Sequence, residues 1–201
     1  MTPAATAPEP AAPLPLFPLH TVLLPGGPLQ LQVFEARYVD MIGRCMRAGE
    51  PFGVVRILEG AEAGAVSDIA AVGTSARIID FHSLSNGLLG LLCLGERVFH
   101  VRSHHRQADG LVLAAVTWPQ ARAPVAVPAQ FTHLVTLLRE VLPKLPDAYA
   151  HIPRNFDDAE WVGYRLLELL PLNTEQRQHS LEVHDPIQRL QWLAPLLASS
   201  G

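Results

Sequence analysis

The side chains best suited to covalent chemistry are few, and their neighbours do not equip them for it. Lys144 is the only lysine of the chain, and it stands between Pro143 and Leu145 rather than in the Gly-Lys-Ser/Thr setting of a phosphate-binding loop. Gly73-Thr74-Ser75-Ala76-Arg77 is the nearest approach to a nucleophile elbow, but it lacks the second glycine and lies in strand-like sequence. Cys45 falls in helical phase with Tyr38, Met41 and Ile42, and Cys93 sits in the most apolar run, so both read as small core hydrophobes. His100, His104 and His105 cluster without a cysteine or carboxylate at ligand spacing. Asp157, Asp158 and Glu160 group at a predicted helix start, where the helix dipole favours negative charge. These readings predict no catalytic residue, no metal site and no cofactor.

The elements that hold these residues follow from composition and period. The chain has 201 residues, 49% hydrophobic and 17% charged, with a formal net charge of −4. At that length roughly 70% of the unfolded surface can be buried, so no staple is required. The acidic balance counts against a dominant phosphate-neutralising surface, so nucleic acid is not expected as the partner. Two cysteines fit a reducing compartment. The Ala, Pro and Thr of residues 1–13 lack the basic start and apolar run of a secretory leader, and no run reaches a bilayer-spanning length of about 20 residues. A cytoplasmic, membrane-free protein with a disordered tail over 1–13 is the expectation.

Beyond the tail, Leu29, Leu31 and Val33 alternate with Gln30 and Gln32, which predicts a strand with one wet face. Tyr38, Met41, Ile42 and Cys45 share a helical face, and Gly49 is placed to stop that helix. Strand character returns over 52–58. The Ala- and Gly-rich residues 59–71 read as a loop or loose hairpin tip. Strands are expected over 74–81, 88–94, 98–101 and 111–118, with turns at Asn86-Gly87 and Asp109-Gly110. Residues 119–128 are proline-rich and mark a change of regime. Phe131, Leu134, Val135, Leu138 and Val141 or Leu142 are spaced for a helix. Asp157 with Glu160 reads as a capping box for a helix stopped by Pro171, Asn173 or Thr174 as the next cap, and Asp185-Pro186 as the start of the last helix. Strands first and helices afterwards make an α+β chain, with a β-rich lobe over 14–121 and a helical lobe over 122–201.

Leu16-Phe17-Pro18-Leu19, Val22-Leu23-Leu24-Pro25-Gly26, the alternating strand, and Phe34-Glu35-Ala36-Arg37-Tyr38 follow one another in close order. This series resembles the opening of the Lon protease N-terminal, substrate-binding domain, with its LFPL, Pro-Gly turn and FExRY sequence. The resemblance continues through Phe52-Gly53-Val54-Val55, residues 72–78, Asn86-Gly87, residues 95–101 and Asp185-Pro186-Ile187-Gln188-Arg189-Leu190, covering about Leu14 to Leu197. It implies a PUA-like β-barrel lobe joined to a C-terminal helical lobe, in a stand-alone Lon-domain-like protein without the ATPase and peptidase domains. The function it implies is non-catalytic recognition of unfolded or damaged protein segments, as an adaptor or regulator of proteolysis with a protease as a further partner. An exposed apolar patch with a polar rim would serve that role. Phe17, Leu23 and Leu24 are the candidates for the patch, and Glu35, Arg37 and Tyr38 for a neighbouring binding surface. The motif also has a purely structural account, with Phe34 anchoring the strand-to-helix junction and Glu35 and Arg37 fixing the helix start. An alternative function is RNA binding by the β-rich lobe, through Arg97, Arg102, Arg106 and the nearby histidines.

Overall fold

The computed structural model describes residues 12–62, 66–84 and 88–198. The tail expectation falls mainly on residues outside this range, as do the Asn86-Gly87 turn and the centre of the 59–71 segment. Six strands come first: β1 (Leu14–Leu19), β2 (Pro28–Val33), β3 (Phe52–Gly60), β4 (Val66–Ser83), β5 (Leu89–Arg106) and β6 (Val112–Thr117), with helix α1 (Ala36–Ala48) between β2 and β3. The helical half holds α2 (Thr132–Val141), α3 (Ala159–Leu169), α4 (Thr174–Glu182) and α5 (Pro186–Ala198). The α+β class, strands before helices, is as expected.

One strand organises the sheet. β5 is 18 residues long and pairs antiparallel with β4 along most of its length. Its first half also pairs with β2, from Leu89↔Val33 to Leu94↔Pro28, and its second half with β6. β6 pairs with the start of β1, β1 runs parallel to β3, and β3 pairs with β4. The strands β5, β4, β3, β1 and β6 therefore close into a ring, and β2 lies outside it with β5 as its one strand neighbour among the described residues. Closure consumes sheet edges, so β2 is left as the terminal strand of the sheet order.

Of the loop and the hairpin tip expected over 59–71, the described residues show hairpin arms: β3 continues to Gly60 and pairs with β4 from Val66. One local expectation is corrected here. The separate strands at 88–94 and 98–101 are one strand, whose register shift opposite Ser75 absorbs Glu96 and Arg97 without ending the ladder. β1, which carries Pro15 and Pro18, had no element assigned from sequence, since proline weakens any strand signal.

α1 lays Tyr38, Met41, Ile42 and Cys45 on the sheet and ends at Gly49, whose φ of 68° is the left-handed cap the sequence implied. Asp158, rather than Asp157, caps α3 by accepting from the Glu160 N–H. A capping box at Asn173 and Gln176 opens α4, and Asp185 accepts from Ile187 N–H at the start of α5. α3 is the central helix, buried on nearly every side.

The two halves share a core. Val22, Leu24 and Val72 pack with Leu134, Leu138, Leu166, Leu167, Leu190 and Leu193. Polar ties reinforce this contact. Arg165 on α3 donates to the carbonyls of Pro25, at 2.9 Å, and Gly26, and pairs with Glu168 at 2.9 Å. Gln178 on α4 donates to the Val72 carbonyl at 3.0 Å. Gly26 takes a φ of 69°, and any side chain at Gly27 would overlap the Glu168 carboxylate. The Pro25-Gly26-Gly27 turn thus docks the helical half as well as launching β2.

Candidate functional site

The three candidates for the apolar patch do not form exposed surface. Phe17, Leu23 and Leu24 are 6%, 4% and 2% exposed. The segment between β1 and β2 runs through the junction of the two halves. Leu23 goes to the β core beside Phe17 and Met41, while Leu24 goes to the helical core. The Thr74 hydroxyl holds the chain there by donating to the Leu23 carbonyl at 2.6 Å. An apolar patch at these residues is therefore ruled out: hydrophobic side chains at an interlobe crossing are more stable inside than on the surface.

The remaining three are gathered at one place. Glu35 stands at the N-terminus of α1, and its carbonyl accepts from Tyr38 and Val39 N–H at 3.0 Å each. Its carboxylate pairs with Arg37 at 2.7 Å, and Arg37 donates to the Gly110 carbonyl at 2.9 Å. That bond ties the helix start to the β5–β6 turn. Tyr38 is buried and stacks on Phe17, with centroids 4.1 Å apart and planes 13° from parallel. Burial raises the Tyr38 phenol above its ordinary range, so it is neutral at physiological pH. The junction is thus anchored by Tyr38, not by Phe34, which is 60% exposed.

A groove of about 300 Å³ opens beside this junction. Phe17, Leu19 and Tyr38 line it from the ring side, and Gln30, Leu31, Gln32 and Val33 of β2 line the other. Phe34 stands at its lip, and its two charged lining residues, Glu35 and Glu62, are both carboxylates. Glu62 also accepts from His20 N–H at 2.6 Å, which joins the end of β1 to the β3–β4 turn. Phe17 and Tyr38 therefore contribute as lining, although neither is free surface. Such an arrangement of apolar interior, exposed aromatic lip and polar rim suits binding. It holds no nucleophile.

The other grooves carry less. A cleft of about 280 Å³ lies below the exposed Met46 and Phe81, beside Cys45. A third, of about 300 Å³ between the halves, is lined by Arg97, Arg122, Glu160 and His184. The basic stretch of the RNA alternative lies along β5 and is partly engaged within the fold. Arg97 lies over the Trp118 ring at 5.0 Å, Arg102 donates to Thr117 at 3.0 Å, and the His100 ring sits 5.6 Å from that of His184.

Ser75 and the cysteines are placed as core groups. The Ser75 hydroxyl accepts from Arg97 N–H at 3.1 Å and is buried. Burial pushes the Cys93 thiol up to about 12 and raises that of Cys45. Both are then protonated at pH 8, and a thiol is a poor nucleophile. Iodoacetamide at pH 8 is expected to label both cysteines in urea and neither in the native protein. Labelling of native Cys45 at the unfolded rate would restore it as a candidate nucleophile.

Phe34, Gln30, Gln32 and Glu62 were not among the residues chosen from sequence. A signal for Phe34 was present: Leu29, Leu31 and Val33 point inward at odd positions, so Phe34 shares the outward parity of Gln30 and Gln32.

Comparison with known proteins places this geometry among relatives. A family profile described as the ATP-dependent protease La (LON) substrate-binding domain matches residues 13–199. A Lon protease of Amoebophilus asiaticus is 24% identical over 178 residues, and one of Cytophaga hutchinsonii 22% over 193. The matches cover 85% and 92% of this chain but only 21% and 24% of those proteins. The crystal structure of a Lon N-terminal domain protein from Xanthomonas campestris superposes with a TM-score of 0.76 at 39% identity, covering 91% of this chain and 97% of that one. The N-terminal domain of Mycobacterium avium complex Lon protease shares the fold at 18% identity, with a TM-score of 0.64 and coverage of 92% and 98%.

Proposed function

Because the chain belongs to the ATP-dependent protease La (LON) substrate-binding domain family, we propose that it recognises unfolded or damaged protein segments in the groove beside Phe34, without covalent chemistry of its own. The observation that carries this reading is the groove itself. A large aromatic side chain, 60% exposed, stands beside an apolar trough built from the FExRY motif and the strand before it. Exposing Phe34 has no folding benefit, since Tyr38 already closes the junction. A native protein hides its apolar side chains and an unfolded one does not, so a trough of this kind separates the two.

An adaptor or regulator that delivers such segments to a protease is the role this reading assigns, in a cytoplasmic setting. The two buried, unpaired cysteines are compatible with a reducing compartment.

Fluorescence anisotropy tests the reading, with a reduced and carboxymethylated polypeptide, the same protein in native form, and a mixed-sequence RNA, each at low and high salt. The unfolded chain should bind in preference to the native one with little salt dependence. Phe34→Ser should weaken that binding by about ten-fold or more, as loss of an aromatic anchor does, and leave Tm unchanged because Phe34 makes no core. Equal binding of folded and unfolded forms would sink the reading. Steeply salt-dependent RNA binding would transfer the function to the basic residues of β5.

A further inference from the structure

The groove has a second property that its apolar lining does not use. One of its walls is β2, and β2 is a sheet edge. On one side it pairs with β5 in unbroken register over Pro28–Val33. On the other it has no strand, and among the described residues Leu29–Val33 form no further backbone hydrogen bond. The turn at Asp147–His151 packs against β2, and its Tyr149 meets Glu168 beside Gly27. Residues 30–33 border the groove.

Free edges are normally defended by charged side chains, internal proline, bulges or closure. This molecule closes its other strands into a ring, yet β2 carries none of those devices between Leu29 and Val33. Its sequence there is Leu-Gln-Leu-Gln-Val, without charge, and its only proline is at the first position. Facing it, β1 loses its β6 partner after Leu16, so Phe17–Leu19 are paired on the β3 side alone. The groove therefore lies between two stretches of strand that each lack a neighbour.

We infer that the bound segment is an extended polypeptide that adds to β2 as a further strand. This rests on the proposed recognition of unfolded segments and specifies how it occurs. The complement of a row of unpaired N–H and C=O groups is another backbone in the same state. Alternate side chains of the guest enter the trough over Leu31, Val33 and Tyr38, and the others lie outward beside Gln30 and Gln32, since strand side chains alternate with period two. Glu35 is already paired with Arg37, so the carboxylate of Glu62 makes a Lys or Arg at one end of the guest the complementary charge. The occupant is thus a short extended segment with β-branched or aromatic residues at every second position and a basic end. A folded protein has most of its backbone groups already paired and offers little to the edge. Discrimination against native proteins then follows from backbone chemistry, largely independent of guest sequence.

The test uses a short fluorescein-labelled peptide in which Val and Thr alternate behind an N-terminal Lys, measured by anisotropy against the full chain. Two further peptides carry N-methyl groups on alternate amides, in the two possible phases. Only one phase can remove the N–H groups that face β2, so one peptide should bind about ten-fold or more weaker and the other within about two-fold of the parent. In parallel, hydrogen exchange should slow at alternate amides of Leu29–Val33 when the parent peptide is added. If both methylated peptides bind alike, or the β2 amides are unprotected, strand addition is overturned and the groove reading stands. If the reduced polypeptide binds but the parent peptide does not, the stated guest chemistry is wrong. If neither binds, the underlying recognition reading fails with it.

Discussion

Arg165→Met is expected to lower the unfolding free energy by ~3–5 kcal/mol, the usual cost of removing one partner from a buried ion pair. Arg165 is 1% exposed, and its guanidinium makes two connections across the junction of the two halves and one within its own helix. It donates to the carbonyls of Pro25 and Gly26 and pairs with the Glu168 carboxylate. Methionine nearly matches the aliphatic stem, so packing changes little and the loss is polar. Two carbonyls would be left without this donor, each at a cost of about 1–3 kcal/mol if no water replaces it. The carboxylate would be left without its cation. For a chain of this size, 1 kcal/mol corresponds to roughly 2–4 °C, so a fall of about 10 °C in Tm is the expected reading by calorimetry. Arg165→Met with Glu168→Gln should recover part of the loss, because no uncompensated charge then remains. A single variant within 2 °C of the parent would mean that the guanidinium contributes no net stability.

That interaction marks where sequence reading stops. A helix carrying Trp161, Val162, Tyr164, Leu166 and Leu167 declares itself by its apolar content, but an arginine among them looks like any solvated charge. Its burial depends on the Pro25-Gly26-Gly27 turn, some 140 positions earlier in the chain, presenting two carbonyls to it. Arg189 is buried by nearer partners, its guanidinium lying 4.0 Å over the Tyr164 ring and donating to the Ser180 and Val183 carbonyls. Local signals fared better. Period gave α1 its buried face, Gly49 its cap, and Asn173 and Asp185 the starts of the last two helices. Each of these involves partners within a few residues.

The candidate site divides along the same line. The FExRY stretch is a local motif, and Glu35, Arg37 and Tyr38 are found at the helix start as the sequence suggested. Leu23 and Leu24 failed because hydrophobicity alone cannot say whether a residue lies in a core or on a binding patch. Which one applies was decided by two distant halves closing over the crossing between β1 and β2. The groove needed β2 to be an edge, and that follows from the closure of five other strands rather than from anything within residues 28–33. Phe34 alone was legible and missed, by its parity with Gln30 and Gln32.

The junction also predicts a dependence on pH. Burial pushes the Glu168 carboxyl up from the ordinary 4.5 to about 7, against the opposing pull of Arg165, Tyr149 and Arg177, the groups facing it from α3, the turn before it and α4. Arg165 is itself shifted downward by burial, so desolvation disfavours the charged form of both partners. A carboxyl whose pKa is higher in the folded state binds its proton more tightly there than in the unfolded chain. Between about pH 4.5 and 7 the native state then holds a proton that the unfolded state has released, and stability falls as pH rises. The contribution is fully present below 4.5, is lost through 7, and is flat above. The size expected is ~1–3 kcal/mol, reduced from the full linkage value because the pair is coupled. His100 works in the opposite sense, since burial and the neighbouring His184 lower its pKa and favour folding as pH rises. The informative quantity is therefore a difference. Urea unfolding at pH 5 and pH 8 should show the parent losing ~1–3 kcal/mol more across that interval than Glu168→Gln, which has no proton to lose. Parallel pH profiles for the two proteins would mean that Glu168 stays ionised beside Arg165. The pair within α3 would then stay charged throughout, with Arg165 carrying the link to the Pro25 and Gly26 carbonyls at either pH.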